Sequence, residues 1–167
     1  MNNIAVYPGS FDPFTNGHLA IVKSASLIFE KVFVLVAINP DKQHMFSLKD
    51  RTEIVQQSIN ECKSISNNVE VIEFNGIVAD FCIHVNANIL VLGIRTVKDL
   101  EQEYSNEHFT RLASKNVQTL YLSPEAKNFS LSSTLIRNLI NAGRPSATEG
   151  LVSSFLHKSL INNRFSF

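Results

Sequence analysis

Ile4-Ala-Val-Tyr-Pro-Gly-Ser-Phe-Asp-Pro-Phe-Thr-Asn-Gly-His18 is the stretch on which the fold turns. Ile4 to Tyr7 is a short apolar run of strand character, and Pro8-Gly9 breaks it. Asp12-Pro13 is a second turn signal. Thr15 has the side chain of a helix N-cap, and after it Ile21, Val22, Ala25, Ile28 and Phe29 share one face at helical period. A strand, a glycine turn and a helix over about 16–29 put His18 in a first helical turn. Free N–H groups and the positive end of the dipole make such a turn an anion site. Gly9 and Gly17 are expected to let the backbone approach a ligand closely.

Outward from that stretch, strand-like and helix-like segments alternate. Val32 to Ile38 is apolar throughout, which suits a parallel strand covered on both faces. After the polar loop from Asn39 to Phe46, with Lys42 and His44, Ser47-Leu-Lys-Asp50 resembles a capping box. Ile54, Val55, Ile59 and Cys62 give the following helix its inner face. Val69 to Phe74 is a third strand, with Asn75-Gly76 as its turn. Val78, Phe81, Cys82 and Val85 mark a short helix. Ile89 to Leu92 is a fourth strand, followed by Gly93-Ile94-Arg95-Thr96 and a long helix carrying Val97, Leu100, Tyr104, His108 and Leu112. Val117 to Leu122 is a fifth strand. A loop from Ser123 to Leu131 leads to the caps Ser132, Ser133 and Thr134 and a helix to about 141. Ser146-Ala-Thr-Glu149 has the form of a capping box for the last helix, with Leu151, Phe155 and Leu156 inward.

Five strands alternating with helices predict an α/β domain with a doubly wound five-stranded parallel sheet. A chain of 167 residues suits one domain, set at residues 1–160 with a tail from 161 to 167. Lysine plus arginine equals aspartate plus glutamate at 15 each, so the charge balance gives no sign of a nucleic-acid surface. The longest apolar run falls well short of the roughly 20 residues of a membrane span, and the N-terminus lacks a secretory pattern. Cys62 and Cys82 form no C-x-x-C pair, which fits reduced core thiols in a cytoplasmic protein and no zinc site.

In doubly wound sheets ligands bind at the carboxyl ends of the strands, near a switch in strand order. Ser10 and His18 follow strand one, Lys42 strand two, Arg95 strand four and Ser132 to Thr134 strand five. Two hydroxyl-rich helix starts, a lysine, an arginine and a histidine form a set of anion handles without an evident nucleophile. No G-x-S-x-G, Walker A or G-x-G-x-x-G sequence occurs. Such a set suits transfer between phosphates, where positioning and charge neutralisation carry the reaction. The helix dipole should keep His18 neutral, and Lys42 and Arg95 supply fixed charge. His44, His84, His108 and His157 lie outside these motifs and read as structural or surface residues.

Gly9-Ser-Phe-Asp-Pro-Phe-Thr-Asn-Gly-His18 is similar to the signature of the nucleotidyltransferases with a (H/T)-x-G-H motif, here Thr15-Asn16-Gly17-His18. Nearly the whole chain resembles the bacterial phosphopantetheine adenylyltransferases. The likeness rests also on Asn39-Pro-Asp-Lys42, on Gly93-Ile-Arg95 with Asp99 and Glu103, and on Leu131-Ser-Ser-Thr-Leu-Ile-Arg137. The resemblance implies a Rossmann-like nucleotidyltransferase fold, transfer of AMP from ATP to 4′-phosphopantetheine in coenzyme A biosynthesis, Mg²⁺ as cofactor, and a cytoplasmic homohexamer. It implies His18, Lys42 and Arg95 as catalytic. Ser10, Phe11, His18, Gly93, Ile94, Arg95, Glu103, Asn128, Phe129, Ser130, Leu131, Ser132, Ser133 and Thr134 would bind ATP. Ser10, Lys42, Val78 and position 92 would meet the acceptor.

Two positions depart from that family pattern. Leu92 stands where the family carries an arginine for the acceptor phosphate, so acceptor binding is weaker or another cation, such as Lys98, compensates. Asn128-Phe129 lacks the usual aromatic at its first position, which shifts the packing of adenine. The tail ending Arg164-Phe-Ser-Phe167 is either disordered or caps a subunit surface. Two alternatives stay open from the residues: a sister enzyme with another acceptor, nicotinamide mononucleotide or glycerol 3-phosphate, and a non-catalytic ATP-binding sensor.

Overall fold

The structure, a computed structural model, describes residues 3–38, 43–65, 67–101, 103, 104, 114 and 116–165. Five strands, β1 (Ile4–Gly9), β2 (Lys31–Ala37), β3 (Val69–Phe74), β4 (Ile89–Gly93) and β5 (Gln118–Leu122), form one parallel sheet in the order β3-β2-β1-β4-β5. The helices are α1 (Asn16–Ile28), α2 (Leu48–Glu61), α3 (Val78–His84), α4 (Ser133–Asn141) and α5 (Ser154–Ile161). Residues 97–101, 103 and 104 are also helical. The rest of the long helix expected there, with His108 and Leu112, lies outside the described residues.

The apolar run of β2 reads out as predicted. Val32, Val34, Leu35 and Val36 are fully buried because helices cover both faces of the sheet. One face packs Ala5, Tyr7, Val34 and Val91 against Ile21 and Val22 of α1, Ile54 and Val55 of α2, Ile136 of α4 and Leu156 of α5. The other packs Val6, Leu35, Leu90 and Leu92 against Phe81 and Cys82 of α3. Each such aliphatic side chain contributes about 1.5–3 kcal/mol by leaving water. Burial pushes the Cys82 thiol up to about 11, consistent with an inert core cysteine.

The strand order changes direction between β1 and β4. β1 pairs with β2 from Ile4 to Gly9, but its pairing with β4 covers only Ala5 and Val6. Beyond Val6 and Leu90 the pairing of the two strands stops, at the switch point where folds of this kind hold their ligand cleft.

Four sequence expectations need correction. Pro8-Gly9 does not end β1; both residues still pair with β2, at Leu35 and Val36. Pro8 is tolerated because the pairing with β4 has already stopped, so its missing donor is not needed there. Ser146 caps no α-helix: Pro145–Thr148 form a 3₁₀ turn, Gly150 takes a left-handed turn at φ +72°, and Ser153 caps α5 by accepting from Leu156 N–H. Cys62 is not in the core; it follows α2 half-buried, with Sγ 3.3 Å from Ser64 Oγ. The segment after residue 160 docks on the domain. Phe165 is 7% exposed and meets Phe46 edge-on at 5.4 Å, while Arg164 pairs with Glu53 and covers the Phe155 ring. Phe167 lies outside the described residues.

Candidate active site

The cleft is built first from the start of α1. Thr15 is extended, and its Oγ1 accepts from His18 N–H at 3.5 Å. In return Thr15 N–H donates to His18 Nδ1 at 3.0 Å. This is a capping box with a histidine in the third helical position, where glutamate or glutamine is usual. Its chemical consequence is a fixed tautomer. Nδ1 accepts, so the proton of the neutral ring sits on Nε2. Burial first, and the charge of Arg95 second, lower the His18 pKa to about 4, and the helix dipole acts in the same direction. His18 therefore stays a neutral hydrogen-bond donor at physiological pH.

An aromatic cradle holds the imidazole, with Phe11 at 5.3 Å and Phe14 at 5.4 Å between ring centres. Phe11 is itself strained into place at φ +46°, a conformation a bulky residue adopts only where packing enforces it. Its ring lies over Gly9, where an added Cβ would meet it at 2.6 Å. Gly9 thus makes room for Phe11. At Gly17 an added Cβ would meet nothing closer than 3.5 Å, so the protein itself does not demand glycine there.

Below this turn lies a polar frame in which Asp12 and Arg137 come from the quoted motifs, without an assigned role there, and Arg51 from outside them. The Asp12 carboxylate accepts from the N–H groups of Met45 and Phe46, both at 2.9 Å. Arg51 donates to the carbonyls of Ser10, Ala37 and Phe46. Arg137 donates to the Asp12 carbonyl at 2.6 Å. One signal was available for Arg51: it shares the apolar stripe of α2 with Ile54 and Val55, where an arginine needs buried partners.

The second wall comes from β4 and α4. Gly93 ends β4, and the N–H of Ile94 just after it donates to Leu122 O at 2.9 Å. Arg95 holds Asp99 with a two-pronged contact, Nε to Oδ2 at 3.0 Å and Nη2 to Oδ1 at 3.1 Å, and its Nη1 donates to Leu131 O at 2.6 Å. Burial pushes the Asp99 carboxyl up, but the bonds and charge of Arg95 outweigh it and hold it below the usual range. Glu103 stands close enough to help burial raise the Tyr7 hydroxyl, against Arg95. In the following loop Asn128 and Leu131 are buried, while Phe129 and Ser130 are exposed. Ser132 caps α4 by accepting from Leu135 N–H, and Ser133 donates to the Pro13 carbonyl at 2.9 Å. Thr134 is exposed, with Arg137 on its Oγ1. The amino ends of α1 and α4 therefore meet, two positive dipole ends beside His18 and Arg95.

On the other side of β1, Ser10 is half-buried. Val78 opens α3, half-buried against the cluster that contains Leu92. Leu92 is 6% exposed among Val6, Leu35, Phe81 and Cys82, an apolar wall. Lys98 is exposed. Lys42 lies outside the described residues. Structure thus draws His18, Gly93, Arg95 and the Asn128–Thr134 segment together at the carboxyl edge of the sheet, and Ser10 follows β1 at the same edge.

Comparison with known proteins gives consistent results. The cytidylyltransferase-like family model matches residues 6–139. The phosphopantetheine adenylyltransferase of Clostridium novyi (strain NT) is 35% identical over 159 residues, covering 95% of each chain. Among solved structures, a proposed nicotinate-nucleotide adenylyltransferase from Vibrio parahaemolyticus superposes with a TM-score of 0.72 at 17% identity, over 97% of this chain and 93% of that one. At that identity the likeness speaks for the fold.

Proposed function

Since the chain belongs to the cytidylyltransferase-like family and, within it, to the phosphopantetheine adenylyltransferases, we propose that its cleft transfers the adenylyl group of ATP to 4′-phosphopantetheine, releasing pyrophosphate. The observation that carries this reading is the fixed Nε2–H tautomer of His18 at the paired helix ends. A phosphate oxygen of the acceptor attacks the α-phosphorus of ATP, and the bond to the β-phosphate oxygen breaks. The chain needs no nucleophile of its own. It must hold two anions in line and absorb the charge that develops on the α-phosphoryl oxygens.

In this reading His18 Nε2–H donates to an α-phosphoryl oxygen. Being neutral, it forms a hydrogen bond that strengthens as charge grows without transferring its proton. The amino ends of α1 and α4 take the β- and γ-phosphates, and Arg95, its fork held by Asp99, adds its charge and the N–H groups that remain. Glu103 holds the ribose, and Asn128 to Thr134 enclose the adenine, with exposed Phe129 free to cover it. Ser10 and Lys42 orient the acceptor phosphate, and Val78 lies along its apolar arm. Mg²⁺ would enter with the nucleotide as MgATP, held mainly by the phosphates and water.

Assembly as a homohexamer belongs to the same proposal. Leu27, Ile77 and Ile83 are exposed apolar side chains that association would cover. A cytoplasmic location is proposed too, supported by two unpaired cysteines. Among the described residues no helix is long and apolar enough to cross a membrane.

The test is pyrophosphate release from MgATP with 4′-phosphopantetheine, nicotinamide mononucleotide, glycerol 3-phosphate or no acceptor. Release that depends on 4′-phosphopantetheine is expected. The apolar wall at Leu92 is the one observation that favours a different acceptor, and release only with another would bear that out.

A further inference from the structure

Arg51 takes part in none of the steps above, yet it is 2% exposed and the largest side chain among those that are fully buried. From α2 its guanidinium reaches three separate segments. Nη1 donates to Ser10 O at 2.5 Å and to Ala37 O at 3.0 Å, and Nε donates to Phe46 O at 3.3 Å. These carbonyls belong to the residue after β1, the last residue of β2 and the loop ahead of α2. Asp12 works on the same loop from above, through the amides of Met45 and Phe46. Phe46 is thus held at both ends of its own residue, its N–H by Asp12 and its carbonyl by Arg51.

The hydrogen bonds of Arg51 all go to neutral carbonyls, the Asp12 and Glu73 carboxylates favour its charge only from a distance, and apolar packing of similar volume often gives more stability than a buried charge. What the charge provides here is direction. A planar fork with fixed donors sets three backbone segments at defined angles, as a leucine could not. One of them carries Ser10, the residue that follows β1 at the carboxyl edge of the sheet.

We propose that Arg51, with Asp12, is a positioning residue for adenylyl transfer, fixing Ser10 and the 43–46 loop so that the acceptor phosphate lies in line with the α-phosphorus. It does so through backbone, without touching substrate. The proposal rests on the transfer reaction given above and on the role of Ser10 in it. Displacing an aligned group by about 1 Å lowers a rate on the order of 100-fold.

The test uses Arg51→Met, which keeps the stem and removes the fork, and Arg51→Lys, which keeps the charge with fewer donors. Steady-state pyrophosphate release is normalised to active sites counted by ATP-binding stoichiometry. Amide hydrogen exchange reads Met45 and Phe46 directly. For Arg51→Met, kcat/KM for the acceptor should fall at least about 30-fold with a raised acceptor KM. The Kd for ATP should stay within about twofold, because Arg51 touches nothing on the Arg95 side, and the two amides should exchange at least about tenfold faster. Arg51→Lys should recover part of the loss. An unchanged kcat/KM per active site with only a lower melting point makes Arg51 a structural residue and overturns the proposal, as does equal loss of ATP affinity. If Arg51→Met does not fold, Asp12→Asn decides: a raised acceptor KM with faster exchange at Met45 and Phe46 sustains the proposal, and no change in either overturns it. A wild-type protein that releases pyrophosphate with no acceptor overturns the transfer reading instead. The exchange result then decides the clamp by itself.

Discussion

Acidification probes the geometry at His18 directly. Nδ1 is occupied as an acceptor from Thr15 N–H, so a proton can be added only by breaking that bond inside an aromatic cradle next to Arg95. With the pKa lowered to about 4, roughly 9% of the imidazole is charged at pH 5, against roughly 97% for an ordinary histidine at 6.5. Long-range proton–nitrogen NMR gives both the tautomer and the charge, with the His18 signal identified by its loss in His18→Gln. We expect the Nε2–H form at pH 6 and half-titration near pH 4. The sign of the stability effect follows. Between about pH 4 and 6.5 the unfolded chain binds a proton that the folded chain refuses, so stability rises with pH across that window and is complete above it. The gain is at most about 3 kcal/mol, because His18 is only partly buried. Half-titration near 6.5, or a proton found on Nδ1, would falsify the argument that the capping box prepares this histidine as a neutral donor.

Two other substitutions follow from the packing. Phe165→Ala should cost about 3 kcal/mol, the low end for a buried phenylalanine because the chain end can settle. Calorimetry should show a fall of about 6–12 °C in Tm, and a shift under 2 °C would mean that the C-terminal segment does not pack on Phe46 as described. Gly9→Ala forces the Phe11 ring to move from contacts with Tyr7, Phe14 and His18, at about 1–3 kcal/mol in urea unfolding. The His18 NMR signal should shift with it. Wild-type stability and an unmoved signal would show that Gly9 is not there for the ring.

How much of this molecule its sequence determined depends on the range of the signal. Strand β2 was legible because an unbroken apolar run has few alternatives to a strand covered on both faces. The α1 and α4 caps were legible because a cap acts within three residues: Thr15 on His18, Ser132 on Leu135. Since those caps open the helices whose amino ends face the cleft, much of the anion-binding side could be read locally, and the family likeness supplied roles for its residues. Local signals also misled. Pro8-Gly9 looked like a strand end, and Ser146-Ala-Thr-Glu149 looked like a helix start. Whether a proline interrupts a strand depends on whether a neighbour needs its donor, and the short pairing with β4 decided that.

Only tertiary structure could supply the rest, because its partners are far apart in the chain. Arg51 meets Ser10 across 41 positions, and Arg137 meets Asp12 across 125. No periodicity encodes which carbonyl a buried guanidinium will find. The side chains announce what chemistry they can do, and the order β3-β2-β1-β4-β5 decides which of them stand in one cleft. That order is chosen by burial summed over the whole sheet, a quantity that no single segment carries.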